Sequence, residues 1–233
     1  MLDFDIHTHW VFFIGSFEVW VTDTLIFTIA IMLLLILLAI VVRVKLRNFQ
    51  EVPTGFQNFI ELAVETFDKF VINSAGPKLA WMGGWFFTVF TFILVSNFSG
   101  LFVFVRPPTA DWTVPLALAI ITVGLMQFIG IKYRGWEFVK GFFKPVFLFF
   151  PINVLGELAR PISLSFRLFG NVLGGMILVS LIYAIAPTIV AMILPVVLHA
   201  YFDIISGAMQ AFVFTILSLT YMGLASAYSG EAG

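Results

Sequence analysis

Five stretches of this chain carry no Lys, Arg, Asp or Glu: residues 24–42, 79–105, 112–131, 168–202 and 204–230. Each reaches the roughly 18–20 residues a helix needs to cross about 30 Å of hydrocarbon. Inside a bilayer the backbone must satisfy its own hydrogen bonds, so such runs fold as helices or as strands of a closed barrel. Barrel strands are short and alternate apolar with polar residues, whereas these runs are dense in Leu, Ile, Phe and Val. The expected fold is therefore all-α, a polytopic membrane protein with spans at about 24–42, 81–105, 112–131, 151–186 and 188–228. The last two exceed the length a span needs and are expected to lie tilted. Of the 233 residues, 61% are hydrophobic and 11% charged, well away from the roughly 25% charged residues of soluble domains. Neither an internal repeat nor a linker divides the chain, so 1–233 reads as a single membrane domain.

Several functions are excluded early. Zero Cys removes disulfides, thiol catalysis and thiolate metal sites, and His7 with His9 makes a weak case for a metal. No Gly-x-x-x-x-Gly-Lys-Ser/Thr, HExxH or Gly-x-Ser-x-Gly pattern occurs, so an enzyme with its own nucleotide or hydrolytic site is not expected, nor any cofactor. Without a basic patch, no nucleic-acid partner is expected. Asp3 and Asp5 stand where a cleaved signal peptide has basic residues. The first apolar run, stopped by Arg43, Lys45 and Arg47, is therefore expected to remain as a transmembrane helix.

Basic residues set the expected orientation. Arg43, Lys45, Arg47, Lys69 and Lys78 lie between the first and second spans, and Lys132, Arg134, Lys140 and Lys144 between the third and fourth. That side should face the cytoplasm, with the N-terminus outside and the C-terminus inside. Residues 54–72 differ from the spans: Phe56, Phe59, Ile60, Ala63, Val64, Phe67 and Phe70 recur at helical spacing opposite Gln57, Glu61, Glu65 and Asp68. Opened by Pro53, this reads as an amphipathic helix at the membrane surface. Its acidic face suits a protein neighbour as well as lipid headgroups. Arg106-Pro-Pro-Thr-Ala-Asp111 reads as the turn between spans two and three, and Trp81, Trp85, Trp112 and Trp136 fall near span ends, as interfacial anchors do.

One residue breaks the apolar pattern. From Pro161 to Phe202, Arg167 alone carries a full charge, and a cation at the bilayer centre costs about 2.5–3.5 kcal/mol on insertion scales. Around it, Glu157, Arg160, Ser163, Arg167, Asn171 and Gly174 recur every three or four residues on span four, and so share a face. On span five His199, Asp203, Ser206 and Gln210 do the same. A short turn makes the two spans antiparallel, so both stripes can line one partly hydrated seam. Structural readings compete: an Arg167–Asp203 ion pair, a hydrogen-bonded core His199, Gln210 and Asn171 as interhelical glue, and a simple i,i+3 pair of Glu157 with Arg160.

At Ser165-Phe-Arg-Leu-Phe-Gly-Asn171, within the longer run from Arg160, the chain closely resembles the a subunit of the FO membrane sector of bacterial F-type ATP synthases. Gln210-Ala-Phe-Val-Phe-Thr-Ile-Leu-Ser-Leu-Thr-Tyr221 resembles the family's last helix. Pro53-Thr-Gly-Phe-Gln-Asn-Phe-Ile-Glu61 looks like its interfacial helix, and Pro108-Thr-Ala-Asp111 with Asn97 like its second hairpin. The likeness runs from Pro53 onward; the first fifty residues match only in being acidic outside and then spanning.

The resemblance implies a role for each residue. Arg167 matches the family's essential arginine, which faces carboxylates of the rotating c-ring, and Gln210 a polar residue near it. Two neighbouring family positions hold an exchangeable acid/His pair. Here one is Met176, which cannot titrate, and the other Asp203, which leaves Asp203, with His199, as the main outer acid. Asp203, His199 and Ser206 are expected to supply an outer half-channel, with Asn97 near its mouth, and Glu157, Asn153 and Ser163 an inner one. Implied partners are the c-ring, a b-type peripheral stalk and the lipid bilayer of a bacterial plasma membrane. The translocated ion would be H+ or, alternatively, Na+, with ATP chemistry on other subunits. A free-standing secondary transporter with an Arg–Asp gate and a passive scaffold are the rival readings. Against the first stands the absence of inverted repeats and of broken helices near the midplane in the sequence, and against the second the midplane charge.

Overall fold

The structure, a computed structural model, describes residues 8–14, 17–47, 55–102, 107–143 and 147–227. Asp3, Asp5, His7, Pro53, Arg106 and Lys144 lie outside the described residues. Five helical stretches are long and apolar enough to cross a membrane: Asp23–Lys45, Pro77–Leu101, Thr113–Arg134, Phe150–Ile185 and Thr188–Ser226. All five correspond to the apolar runs, and the all-α polytopic fold holds. The last two, at 36 and 39 residues, are long enough that an upright helix would overshoot the roughly 30 Å hydrocarbon layer.

One addition precedes the helices. Strands β1 (Thr8–Ile14) and β2 (Phe17–Thr22) pair antiparallel, with Ile14 opposite Phe17 and Val11 opposite Trp20. The segments THWVFFI and FEVWVT are rich in β-branched and aromatic residues, which suit a pleated pair. Charge alone placed this segment outside the membrane and missed the hairpin.

Helix α1 (Asp23–Lys45) is apolar on every side and buries only Thr24 and Ile31. A helix hydrophobic all round sits in an apolar surrounding, and here the chain itself provides almost none of it. Helix α2 (Phe56–Ala75) is the amphipathic segment. Gly76, at φ 87°, ends it in a conformation that costs a residue with a β-carbon, and Pro77 opens the next turn. The apolar stripe of α2 is split in use. Phe56, Phe59 and Val64 are exposed, while Phe67 packs edge-on to Phe87 at 5.2 Å and Phe70 lies 5.6 Å from Phe212. On the polar side Lys69 Nζ sits 2.7 Å from Glu65 and, by that hydrogen bond and its charge, holds the Glu65 carboxyl below its usual range.

The remaining helices are α3 (Gly83–Phe98), α4 (Thr113–Arg134), α5 (Trp136–Gly141), α6 (Phe150–Ile185), α7 (Thr188–His199) and α8 (Gly207–Ser226). A π-helical segment, Ala200–Ser206, joins α7 to α8. The fifth span is therefore one uninterrupted helical rod only in length: a wide turn sits in its middle, one turn after Pro195, which lacks the N–H that α7 would use there. π-segments mark places where a helix is locally rewound, frequently at functional sites.

The chain gathers into two compact units. The first takes the chain to Val42, Thr91–Pro115 and Arg167–Ala211; the second takes Arg43–Phe90, Leu116–Phe166 and the chain from Phe212. The core of the second unit joins Val71, Ala75, Leu79, Met82 and Phe86 to Met126, Ile129 and Phe138 and to Leu219, Met222 and Ala225. Gly223 makes this possible, because a β-carbon there would lie 3.1 Å from the Cα of Ala75.

Candidate functional site

Within the first unit the polar residues of the π-segment meet those of α3 and α6. Asp203 is buried, and its Oδ2 lies 2.8 Å from His199 Nδ1, one turn earlier. On its other side stands Gly100, in the short 3-10 turn Ser99–Leu101 that ends α3. A β-carbon at Gly100 would come within 3.0 Å of Asp203 Oδ1, so the carboxylate occupies the space a side chain would fill. Burial of an ionisable group demands a partner, and the histidine supplies it.

Asn97 acts as a strut. Its Nδ2 donates to the Gly207 carbonyl at 3.1 Å, and its Oδ1 accepts from Thr109 Oγ1 at 2.8 Å. A β-carbon on Gly207 would meet the Asn97 Cβ at 2.8 Å, so glycine is what lets α3 and the start of α8 approach. Asn97 is 1% exposed, with both ends of its amide engaged inside the chain rather than open at a mouth.

Between α6 and the π-segment, Ser206 Oγ donates to Asn171 Oδ1 in a short hydrogen bond, which joins the two stripes as their spacing suggested. Two donors stay open: Asn171 Nδ2 and Gln210 Nε2 are buried with no partner among the described residues. Each such group costs about 1–3 kcal/mol unless water or another chain supplies an acceptor. Arg167 is exposed on α6 and makes no ion pair among the described residues. The Arg167–Asp203 pair weighed as a structural reading is therefore not formed; the partner of Asp203 is His199.

The second unit holds the other group of polar residues from α6. Arg160 Nη1 lies 2.7 Å from Glu157 Oε1, donates toward Met126 Sδ at 3.4 Å, and has its guanidinium 4.9 Å over the Tyr221 ring. Gln127 Nε2 donates to the other Glu157 oxygen at 2.8 Å. Asn153 Nδ2 donates to the Phe142 carbonyl at 2.8 Å. Glu157 and Arg160 do form an i,i+3 pair, but inside a wider network. Ser163 is exposed on the same helix.

Gln127, Gly100 and Gly207 escaped the sequence reading, in which Thr109 figured only as part of the turn beside Asn97. Gln127 was visible as an amide inside an apolar run, yet nothing in the sequence names its partner. Gly100 and Gly207 gave no signal, since close approach is a tertiary property.

Buried amides, a His–carboxylate pair and an unpaired arginine, all on membrane-length helices, define a polytopic membrane protein with an ionisable polar seam, the arrangement by which ion-conducting proteins are recognised. The family description "ATP synthase A chain" matches residues 24–223. ATP synthase subunit a of Desulfosudis oleivorans is 39% identical over 205 residues, which cover 84% of this chain and 85% of that protein. The Listeria monocytogenes subunit a is 38% identical over 196 residues, covering 76% and 81%. A Propionigenium modestum relative named "ATP synthase subunit a, sodium ion specific" is 37% identical over 224 residues, covering 87% and 73%. The chain belongs to the ATP synthase subunit a family, the membrane ion-channel subunit of the F-type enzyme and not its catalytic one.

Proposed function

We propose that the chain is the proton-translocating stator of a rotary ATP synthase, in which Arg167 forces a passing c-ring carboxylate to give up its proton. The observation that carries this reading is the state of Arg167: a cation on a membrane-length helix, exposed and without an ion pair among the described residues, beside seam amides whose donors await acceptors. A carboxylate crossing hydrocarbon must be neutral. Brought within about 4–6 Å of a fixed cation, it has its pKa lowered by about 1–3 units and ionises. Asn171 Nδ2 and Gln210 Nε2 are donors suited to the resulting anion or to water beside it.

Protons reach and leave this point by two half-channels. Asp203, His199 and Ser206 form the outer one, with Asn97 holding α8 in register; Glu157, Asn153 and Ser163 line the inner one. Arg167 keeps a proton from running directly between them. Membrane potential drives the cycle with about 2.3 kcal/mol per charge per 100 mV. The N-terminus lies outside and the C-terminus in the cytoplasm, as the basic residues between spans indicate, and a peripheral stalk anchors the subunit.

Sodium is the second reading, because one relative is named sodium ion specific. The test is ATP-driven acidification of inverted vesicles in sodium-free buffer. The intact complex should acidify the lumen, and Arg167→Ala should abolish pumping with the complex still assembled. Unchanged pumping in that variant would overturn the role of Arg167, and a strict sodium requirement would overturn the choice of ion.

A further inference from the structure

The second unit contains a cleft of ≈ 440 Å³ walled by the end of α4, by α5 and by the first turns of α6. Three charged side chains line it: Arg134, Glu157 and Arg160. Two of them cancel. Glu157 has one oxygen 2.7 Å from Arg160 and the other 2.8 Å from Gln127, so its charge and its acceptors are taken. Arg134 is different. Its guanidinium lies 5.8 Å from the Phe138 ring centroid, its Nε is buried without a hydrogen-bond partner, and it makes no ion pair among the described residues. One positive charge without an ion pair is thus left in the wall.

A guanidinium is recognised best by an anion that presents two oxygens to its fork, a carboxylate or a phosphate. The other walls narrow the choice. Phe138, Phe142 and Ile152 make part of the lining apolar, and Ile152 is 61% exposed. Trp136, the first residue of α5, is 70% exposed and marks the depth at which aromatic rings meet headgroups. Basic pockets between membrane helices at that depth accept phosphorylated lipid heads. We propose that this cleft binds a phosphate-bearing anion anchored by Arg134, with the head of an acidic phospholipid in the cleft and its acyl chains passing over Ile152. The cleft shares Glu157 and Asn153 with the inner half-channel proposed above, but its anchor is Arg134 and its readout is anion binding rather than transport, so it stands if the transport reading fails.

Two substitutions probe it without depending on each other. Arg134→Gln removes the anchor, while Arg134→Lys keeps the charge. Gly156→Leu fills the cleft from the opposite wall, where a β-carbon meets nothing within 4 Å, and it replaces a poor helix former with a good one. The assembled complex, stripped of lipid in detergent, is titrated with phosphatidylglycerol. Adducts on this chain are counted by native mass spectrometry, with inorganic phosphate as a parallel titrant read by thermal midpoint. Arg134→Gln and Gly156→Leu should each bind phosphatidylglycerol about tenfold more weakly than the parent, and Arg134→Lys should fall between. Protection by millimolar phosphate that both variants lose, without a lipid adduct, would assign the site to a free anion. Equal lipid binding and equal phosphate response in all the proteins would overturn the site.

Discussion

A carboxylate inside a membrane span needs its charge answered locally, and Asp203 shows how this chain does it. His199 bonds one oxygen at 2.8 Å, and the missing side chain of Gly100 leaves room for the other. Asp203→Asn keeps the volume and a hydrogen bond but cannot carry a proton. It should abolish ATP-driven acidification while leaving the complex assembled; near-normal pumping would remove Asp203 from the path. Gly100→Val should reproduce that loss through the same carboxylate, because its β-carbon would enter the space of Oδ1. Legibility at this scale was uneven. Asp203, His199, Asn171 and Ser206 were found from helical spacing, since residues three or four apart share a face. Gln127 as a partner of Glu157, and Gly100 as a neighbour of Asp203, were not, because both contacts join segments distant in the chain.

Among the elements, the last span departs most from its sequence reading. Regular spacing over His199, Asp203, Ser206 and Gln210 suggests an unbroken α-helix, yet Ala200–Ser206 is π-helical. An inserted wide turn carries no signature in hydrophobicity, so period alone could not reveal it. Pro195, inside the same span, removes a backbone donor one turn before the segment, and the sequence reading did not weigh it. Helix α8 is held by glycine at two points, Gly207 against Asn97 in the first unit and Gly223 against the Ala75 backbone in the second. Gly223→Leu should therefore overpack that second contact and destabilise the protein by about 1–3 kcal/mol, read as a lowered thermal midpoint in detergent. A substitution at Gly84, where a β-carbon meets nothing within 4 Å, is the matched control and should change little.

At the scale of the whole molecule, much of the surface is apolar and uncovered by the chain itself. Helix α1 buries only Thr24 and Ile31, and the N-terminal half of α2 leaves Phe56, Phe59 and Val64 exposed. A membrane and neighbouring subunits together should account for that surface. Mild detergent extraction should bring the chain out with a c-ring and peripheral stalk; purification as a stable free monomer would favour an independent transporter. The sequence alone determined the membrane, the five spans, the amphipathic helix and the family, because these rest on length, charge distribution and local motif. Tertiary structure decided which polar groups answer each other: His199 and not Arg167 for Asp203, Gln127 with Arg160 for Glu157, and the Phe138 ring rather than a carboxylate for Arg134 among the described residues. The reason is physical. Insertion into a bilayer is set segment by segment by transfer free energy, whereas the pairing of a buried charge depends on which segments meet.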